Sequence, residues 1–488
     1  MTMKSDSPRI TKSFAVFDCD AHVNDPVEIW TKYVETEYRD LVKQAYWNDG
    51  SGAALLNGQL ALFGGHFPAA RVDKKMPATT TISPSRINGI TIGGPGVNKK
   101  VQRRLQRMTL TQAQVEYVDH KGAYDPHARV RELDLMGIDQ VLVIPTMLVN
   151  AYPFIRNAEG AYGLARAYNN WAREWCDTAP DRLYPSALLP LQNTDLALKE
   201  LQRVVKMKFP VVLMRPIDAN GNYPNRLVPS RERSSGAGAF GMMMDPLFRA
   251  IEESGVVLGV HTFPSPLAMG IDPIDNARSP GDYVERSGRG TGRVVVSSTF
   301  SFILEATVWL SQVLLSGLLD RYPRLKMAIF ESNATWLPSL LDYCDRLFKL
   351  YANERKTGAR RLPSEAFYQQ CMISFEAEED MVFRQYEKFE NIGVWASDVY
   401  HPDAAEAWEA IAHMRQAEVP ATVQEKLMGA NARRFYGIEG KVFTTEQPEI
   451  ISRPDWFPRH DDALEKWWNE EAHPRQFKRA GKQSTPNY

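Results

Sequence analysis

Cysteine is scarce in this chain: Cys19, Cys176, Cys344 and Cys371 are its four examples in 488 residues, far apart and with no Cys-x-x-Cys pair. That speaks against a disulfide scaffold, and lone thiols in apolar surroundings suit a reducing cytosol. An excess of charge is lacking too, since 58 Lys and Arg stand against 59 Asp and Glu. Neither nucleic acid nor an anionic membrane surface has an electrostatic case as a partner. There is no long apolar run. The most apolar stretch, 300–319, contains Glu305 and reads as a buried helix rather than a membrane span. The opening Met1-Thr-Met-Lys-Ser-Asp-Ser-Pro8 lacks the apolar core of a signal peptide. No repeat beyond a strand–helix unit and no low-complexity tract is visible. The expectation is a soluble, cytoplasmic protein.

What is present is a series of short β-rich runs: 14–19, 140–145, 183–190, 210–215, 256–261, 325–330, 371–375 and 392–397. Most are continuous apolar stretches, as parallel strands buried on both faces require. Helical patterns fill the gaps at 161–178, 196–207, 245–254, 302–319, 336–351, 404–416 and 422–436. Strand–helix alternation repeated eight times predicts an α/β fold, a (β/α)8 barrel before a doubly wound sheet. The barrel would span 14–437. It would include a long insertion, 24–130, after strand 1, with a Gly/Pro/Ser-rich middle and a basic helix-like piece at Lys99–Met108. Residues 438–488 form a polar C-terminal extension carrying Trp456, Phe457, Trp467 and Trp468. Aromatics in such an arm dock on the parent domain or on a neighbouring subunit.

Four metal-type side chains each sit just past an apolar run: Asp20 and His22 after the first, His261 after the fifth, and Asp398 after the eighth. Singly, an Asp there is more often a helix cap and a His more often structural. Together, at one rim of a parallel barrel, they are the expected centre for one divalent ion. Two nitrogens and two carboxylates suit Zn2+, Mn2+ or Fe2+ rather than a thiolate-preferring metal.

Several segments then resemble the amidohydrolase-related branch of the amidohydrolase superfamily, which holds metal-dependent hydrolases and non-oxidative decarboxylases. They are Asp18-Cys-Asp-Ala-His22, Tyr124-Asp-Pro-His-Ala-Arg-Val-Arg-Glu-Leu-Asp-Leu-Met-Gly-Ile-Asp139, Val260-His-Thr262 and Tyr322-Pro-Arg-Leu-Lys326. The others are Glu331-Ser-Asn-Ala-Thr-Trp-Leu-Pro338, Ala396-Ser-Asp-Val-Tyr-His-Pro-Asp403 and Gly429-Ala-Asn-Ala-Arg-Arg-Phe-Tyr436. The resemblance covers 14–23 and roughly 120–437. It implies a distorted (β/α)8 TIM barrel with one divalent ion on Asp20, His22, His261 and Asp398, and Asp398 also handling a proton. Two departures stand out. Asp20 occupies a place where many relatives have His, which shifts the metal toward Mn2+. Glu331 follows strand 6 where many have His, and reads as a ligand, an acid/base group or a helix cap.

Arg215, at the end of strand 4, could hold a substrate carboxylate in a bidentate pair or be tied to a structural carboxylate. His401 could contact substrate, stand behind Asp398 or shape the turn, and Glu376 reads as structural. His66, His120, His127, His413, His460 and His473 read as non-ligands. Gly288-Arg-Gly-Thr-Gly292 reads as a flexible lid rather than a phosphate cradle. The first functional reading is a hydrolase that uses a metal-activated water on a small carbonyl- or carboxylate-containing substrate, with Asp398 as base. A decarboxylase of an aromatic or unsaturated carboxylate is the alternative. A non-catalytic binding or assembly protein is the third reading. A homo-oligomer is expected, with the insertion or the tail wrapping a neighbour.

Overall fold

The computed structural model describes residues 9–48, 54–61, 79–81, 105, 109–118, 121–216, 237–262, 293–354, 358–401, 404–448 and 454–458. Its centre is an eight-stranded sheet in chain order: β1 Phe17–Val23, β2 Gln140–Pro145, β3 Leu183–Leu188, β4 Val211–Met214, β5 Val257–His261, β6 Met327–Phe330, β7 Cys371–Phe375 and β8 Gly393–Trp395. Every neighbouring pair is parallel. A parallel Ala21–Val399 bridge joins the segment after β8 to β1 and closes a (β/α)8 TIM barrel. All eight strands fall on the expected apolar runs. β1 is a correction: it spans 17–23 instead of 14–19, so Asp20 and His22 lie inside the strand. The apolar run ends before Asp20, whereas this barrel buries Asp18, Asp20 and His22 within the strand.

Helices cover the strands because their apolar faces have the 3.6-residue period. Ala158–Cys176, capped by Asn157, is buried along most of its length, and Thr194–Lys206 is capped by Asn193. The helix expected at 302–319 runs Arg293–Ser316, then turns at Gly317 (φ 79°) into Leu318–Arg321. There Phe300 is 54% exposed, although the whole 300–319 stretch had read as buried. No described helix is long and apolar enough to cross a membrane. All four cysteines are free and buried.

The first described elements of the insertion pack on the helix Ala158–Cys176. Helix Arg39–Ala45 lies against Ala158–Cys176, where a Cβ on Gly160 would meet Leu41 O and Ala45 Cβ at 2.6 Å. A three-stranded antiparallel meander follows at Tyr46–Asn48, Ala54–Leu56 and Gln59–Ala61. Of Lys99–Met108, only Leu105, in a helix, is described. Lys12 N donates to Thr445 O (2.9 Å) and Gln447 N to Ile10 O (2.8 Å), tying residues 10–12 to residues 445–447. Trp456 and Phe457 pack against Tyr117 of the same chain, with ring centroids 5.4 and 5.9 Å away. Trp467, Trp468, His66, His120, His460, His473 and the 288–292 segment lie outside the described residues.

Candidate metal centre

β1 supplies two candidate ligands two residues apart, Asp20 and His22. Its register against β2 shifts by one residue between Asp18 and Ala21, the kind of bulge that re-aims side chains beside an active site. His261 is the last residue of β5. Asp398 lies three residues beyond β8 and Glu331 directly after β6. Both have left-handed backbones, φ 53° and 47°. For a non-glycine residue such a conformation is uncommon and marks a position fixed by its surroundings.

These side chains converge. His22 Nε2 lies 3.3 Å from His261 Nε2, 3.1 Å from Asp20 Oδ1 and 3.5 Å from Asp398 Oδ1. His261 Nε2 lies 2.9 Å from Glu331 Oε2 and 3.7 Å from Asp20 Oδ2. His401 joins from the mouth: its Nδ1 is 2.7 Å from Asp398 Oδ1, and its ring stacks on His22 at 4.2 Å. Among the described residues two overlapping groups of candidate ligands result, Asp20–His22–His261–Glu331 and His22–Glu331–Asp398–His401, each with ligand atoms within 4.8 Å of one another.

The donors fit a cation. Burial holds His22 well below the ordinary imidazole pKa, with His401 and His261 adding to the effect. Burial also lowers His261, against the pull of Asp20. Neutral rings with two Nε2 atoms turned toward one point present lone pairs, as divalent metals require. Asp20 is raised by its burial, against His261 and His401, and its Oδ1 is buried with no hydrogen bond from the described residues.

Sequence reading missed the side chains that aim these groups. Asp18, fully buried, accepts hydrogen bonds from Ser397 N (3.0 Å), Ser397 Oγ and Asp20 N (3.2 Å), tying β1 to the residue before Asp398. Burial pushes its carboxyl up to about 7, against those bonds. The seam itself runs through the site: Asp398 N donates to Asp20 O (2.9 Å) and His22 N to Val399 O (2.6 Å). Arg129 is buried on helix Pro126–Met136 and donates from Nη2 to His22 O (2.5 Å) and from Nε to Gly122 O (2.7 Å). Its guanidinium also lies 4.6 Å from the Tyr400 ring. One signal was available: Arg129 shares the buried face with Leu133 and Met136, at helical spacing.

Arg215 is buried and pairs with Glu305 (3.3 Å) while donating to Asn150 O (3.3 Å), so the helix Arg293–Ser316 gives it a carboxylate partner. Glu331 is no cap, because helix Leu337–Leu350 starts after Trp336. Glu376 N donates to Glu379 Oε1 (3.0 Å). His413 Nδ1 lies 2.7 Å from Ala377 O, and His127 is exposed, both away from the centre.

The amidohydrolase family model matches residues 125–438. Comparison with curated protein sequences gives no match. Among solved structures, an amidohydrolase from Mycobacterium avium subsp. paratuberculosis K-10 is similar at TM-score 0.62 and 14% identity, over 87% of this chain and 100% of that one. The 5-carboxyvanillate decarboxylase of Sphingomonas paucimobilis gives 0.55 and 19%, over 88% and 100%. A dihydroxybenzoic acid decarboxylase from Polaromonas sp. JS666, with bound manganese and the inhibitor 2-nitroresorcinol, gives 0.53 and 16%, over 87% and 97%. The matched span covers more than half of the chain, from before β2 to past β8, and the chain therefore belongs to the amidohydrolase family.

Proposed function

We propose that this protein is a divalent-metal-dependent, non-oxidative decarboxylase of a small carboxylate of the hydroxylated aromatic type. One observation carries the reading: the carboxylates of Asp20, Glu331 and Asp398 meet the buried imidazoles of His22 and His261 at one end of the barrel. Such a mixed oxygen and nitrogen set suits a borderline-to-hard ion, Mn2+ ahead of Zn2+. Likeness to decarboxylases of 5-carboxyvanillate and dihydroxybenzoic acid, the latter with manganese, supports the same choice. Asp20, His22 and His261, with Asp398 or Glu331, would hold the ion. Bound there, it would supply positive charge for a substrate carboxylate and its neighbouring oxygen, and for the electrons left as the carbon–carbon bond breaks.

The chain's own residues do the rest. Asp398 is the acid that hands a proton to the carbon vacated by CO2. His401, 2.7 Å from it and 15% exposed at the side chain, connects Asp398 to the solvent side. Arg215, just past β4 and next to the strand that carries His261, is buried with its charge paired to Glu305. Hydrolysis is the second reading, favoured by Glu331 where relatives often carry a His after β6.

The test incubates the Mn2+-loaded full chain with a panel of hydroxylated benzoates in deuterated water. Expected are CO2 and a product with one solvent deuterium on the ring. Solvent oxygen entering the product of an ester or amide panel, with no CO2 from any benzoate, would overturn decarboxylation in favour of hydrolysis.

A further inference from the structure

We infer that Glu331 is a direct protein ligand of the metal, completing a set with Asp20, His22 and His261, and that Asp398 is thereby left to proton handling with His401. The inference rests on the reading that this centre holds one divalent ion, and it concerns a position where the chain departs from its relatives.

Geometry singles out Glu331. Its Oε2 is 2.9 Å from His261 Nε2 and 3.9 Å from His22 Nε2, and it belongs to both candidate groups of ligand atoms. Asp398, by contrast, belongs only to the group that contains His401, and its Oδ1 already lies 2.7 Å from His401 Nδ1. Replacing Asp398 by Glu331 keeps the donor count at two nitrogens and two carboxylates.

The backbone around Glu331 is fixed from three sides. Thr262, next to His261, donates from its amide (3.4 Å) and its hydroxyl (3.3 Å) to Phe330 O, and its hydroxyl also meets the Glu331 carbonyl. Trp336 Nε1 donates to Ser332 O (2.8 Å) and Asn333 O (3.0 Å). Buried Glu379 accepts from Ala334 N (2.8 Å) and Thr335 N (3.3 Å). These bonds hold the left-handed turn at Glu331 and Asn333 (φ 47° and 55°) that directs the Glu331 carboxylate toward the two imidazoles. Ligand placement by supporting hydrogen bonds is the usual architecture of a metal site.

The experiment measures Mn2+ binding to the chelator-stripped full chain, by metal content and by the paramagnetic resonance of free Mn2+. Parent protein should bind one ion. Glu331→Gln, which keeps shape but loses the anionic oxygen, should weaken binding by roughly 100-fold, the top of the range seen for supporting residues. Glu331→His should still bind one ion while preferring Zn2+ to Mn2+, which also shows that the site folds. Asp398→Asn should lose turnover and keep its Mn2+ affinity. Parent-like Mn2+ binding by Glu331→Gln, with affinity lost in Asp398→Asn, would overturn the assignment. Binding is read without turnover, so the two proposals fail separately: a parent that evolves CO2 beside an unaffected Glu331→Gln refutes only the ligand. A Glu331-dependent Mn2+ site without CO2 from any benzoate refutes only the decarboxylase.

Discussion

Lys12→Met tests how the segment before β1 is fastened to Asp139 and to residues 443–444. Lys12 Nζ donates to Asp139 Oδ2 (2.5 Å), Thr444 O (2.6 Å) and Phe14 O (3.3 Å), with no exposed surface on either charged side chain. Burial pulls the Lys12 pKa down, and Asp139 pulls it back up. Asp139 in turn accepts from Val16 N (2.7 Å), Phe443 N (2.6 Å) and Thr444 N (3.1 Å). Removing one partner of a buried pair costs about 3–5 kcal/mol because the other charge stays buried. Three backbone donors still face Asp139, so the lower end applies, about 3 kcal/mol. For 488 residues the unfolding entropy is about 1 kcal/mol/K. The expected Tm drop is therefore about 3 °C by calorimetry. The double variant Lys12→Met/Asp139→Leu should not recover, although many buried pairs tolerate apolar replacement. It strands three backbone N–H groups, each costing about 1–3 kcal/mol. A Lys12→Met protein melting within about 1 °C of the parent, or a double variant as stable as the parent, would refute this reasoning.

Asp25 accepts from Met147 N (2.6 Å) and Leu148 N (2.8 Å), and burial raises its carboxyl from 3.8 to about 7. A folded pKa above the unfolded one means the folded state holds the proton more tightly. Stability should then fall as pH rises from about 4 to about 7, and Asp25→Asn should flatten that fall in melts of chelator-treated protein. An unchanged slope would contradict the shift. Gly259 sits in β5, where an added Cβ would come within 2.7 Å of both Phe330 Cε2 and Val211 Cγ1. Gly259→Ala should cost about 1–3 kcal/mol by overpacking and should weaken Mn2+ binding by displacing His261, without touching a ligand. Parent-like melting and metal binding would show that this contact relaxes freely.

The barrel was legible in the sequence because buried parallel strands write themselves as apolar runs, and β2 and β7 match theirs residue for residue. That Asp20, His22, His261 and Asp398 come together was expected from their places at or near the ends of such runs, and their side chains do converge. Glu331 was visible but ambiguous. Its bearing depends on a left-handed turn fixed by Thr262 and Glu379, at sequence separations no local pattern reveals. Arg129 and Asp18 escaped for the same reason, since their partners His22 and Ser397 are 107 and 379 residues away. Arg215 carried two readings, and only the fold brings Glu305 beside it. The insertion was recognised by length alone, since its described elements are short and packed by distant residues, such as Asn57 against Phe154 O (2.8 Å).

The most direct measurement loads metal-stripped full-length protein with increasing Mn2+ and records CO2 release from a hydroxylated benzoate that the panel identifies as substrate. If Asp20, His22 and His261 hold an ion on which carbon–carbon cleavage depends, the rate should rise in proportion to bound Mn2+ and level off at one ion per chain. In His22→Ala it should stay at background at the same metal concentrations. CO2 released at full rate by stripped protein, or by His22→Ala, would contradict the metal-dependent decarboxylase.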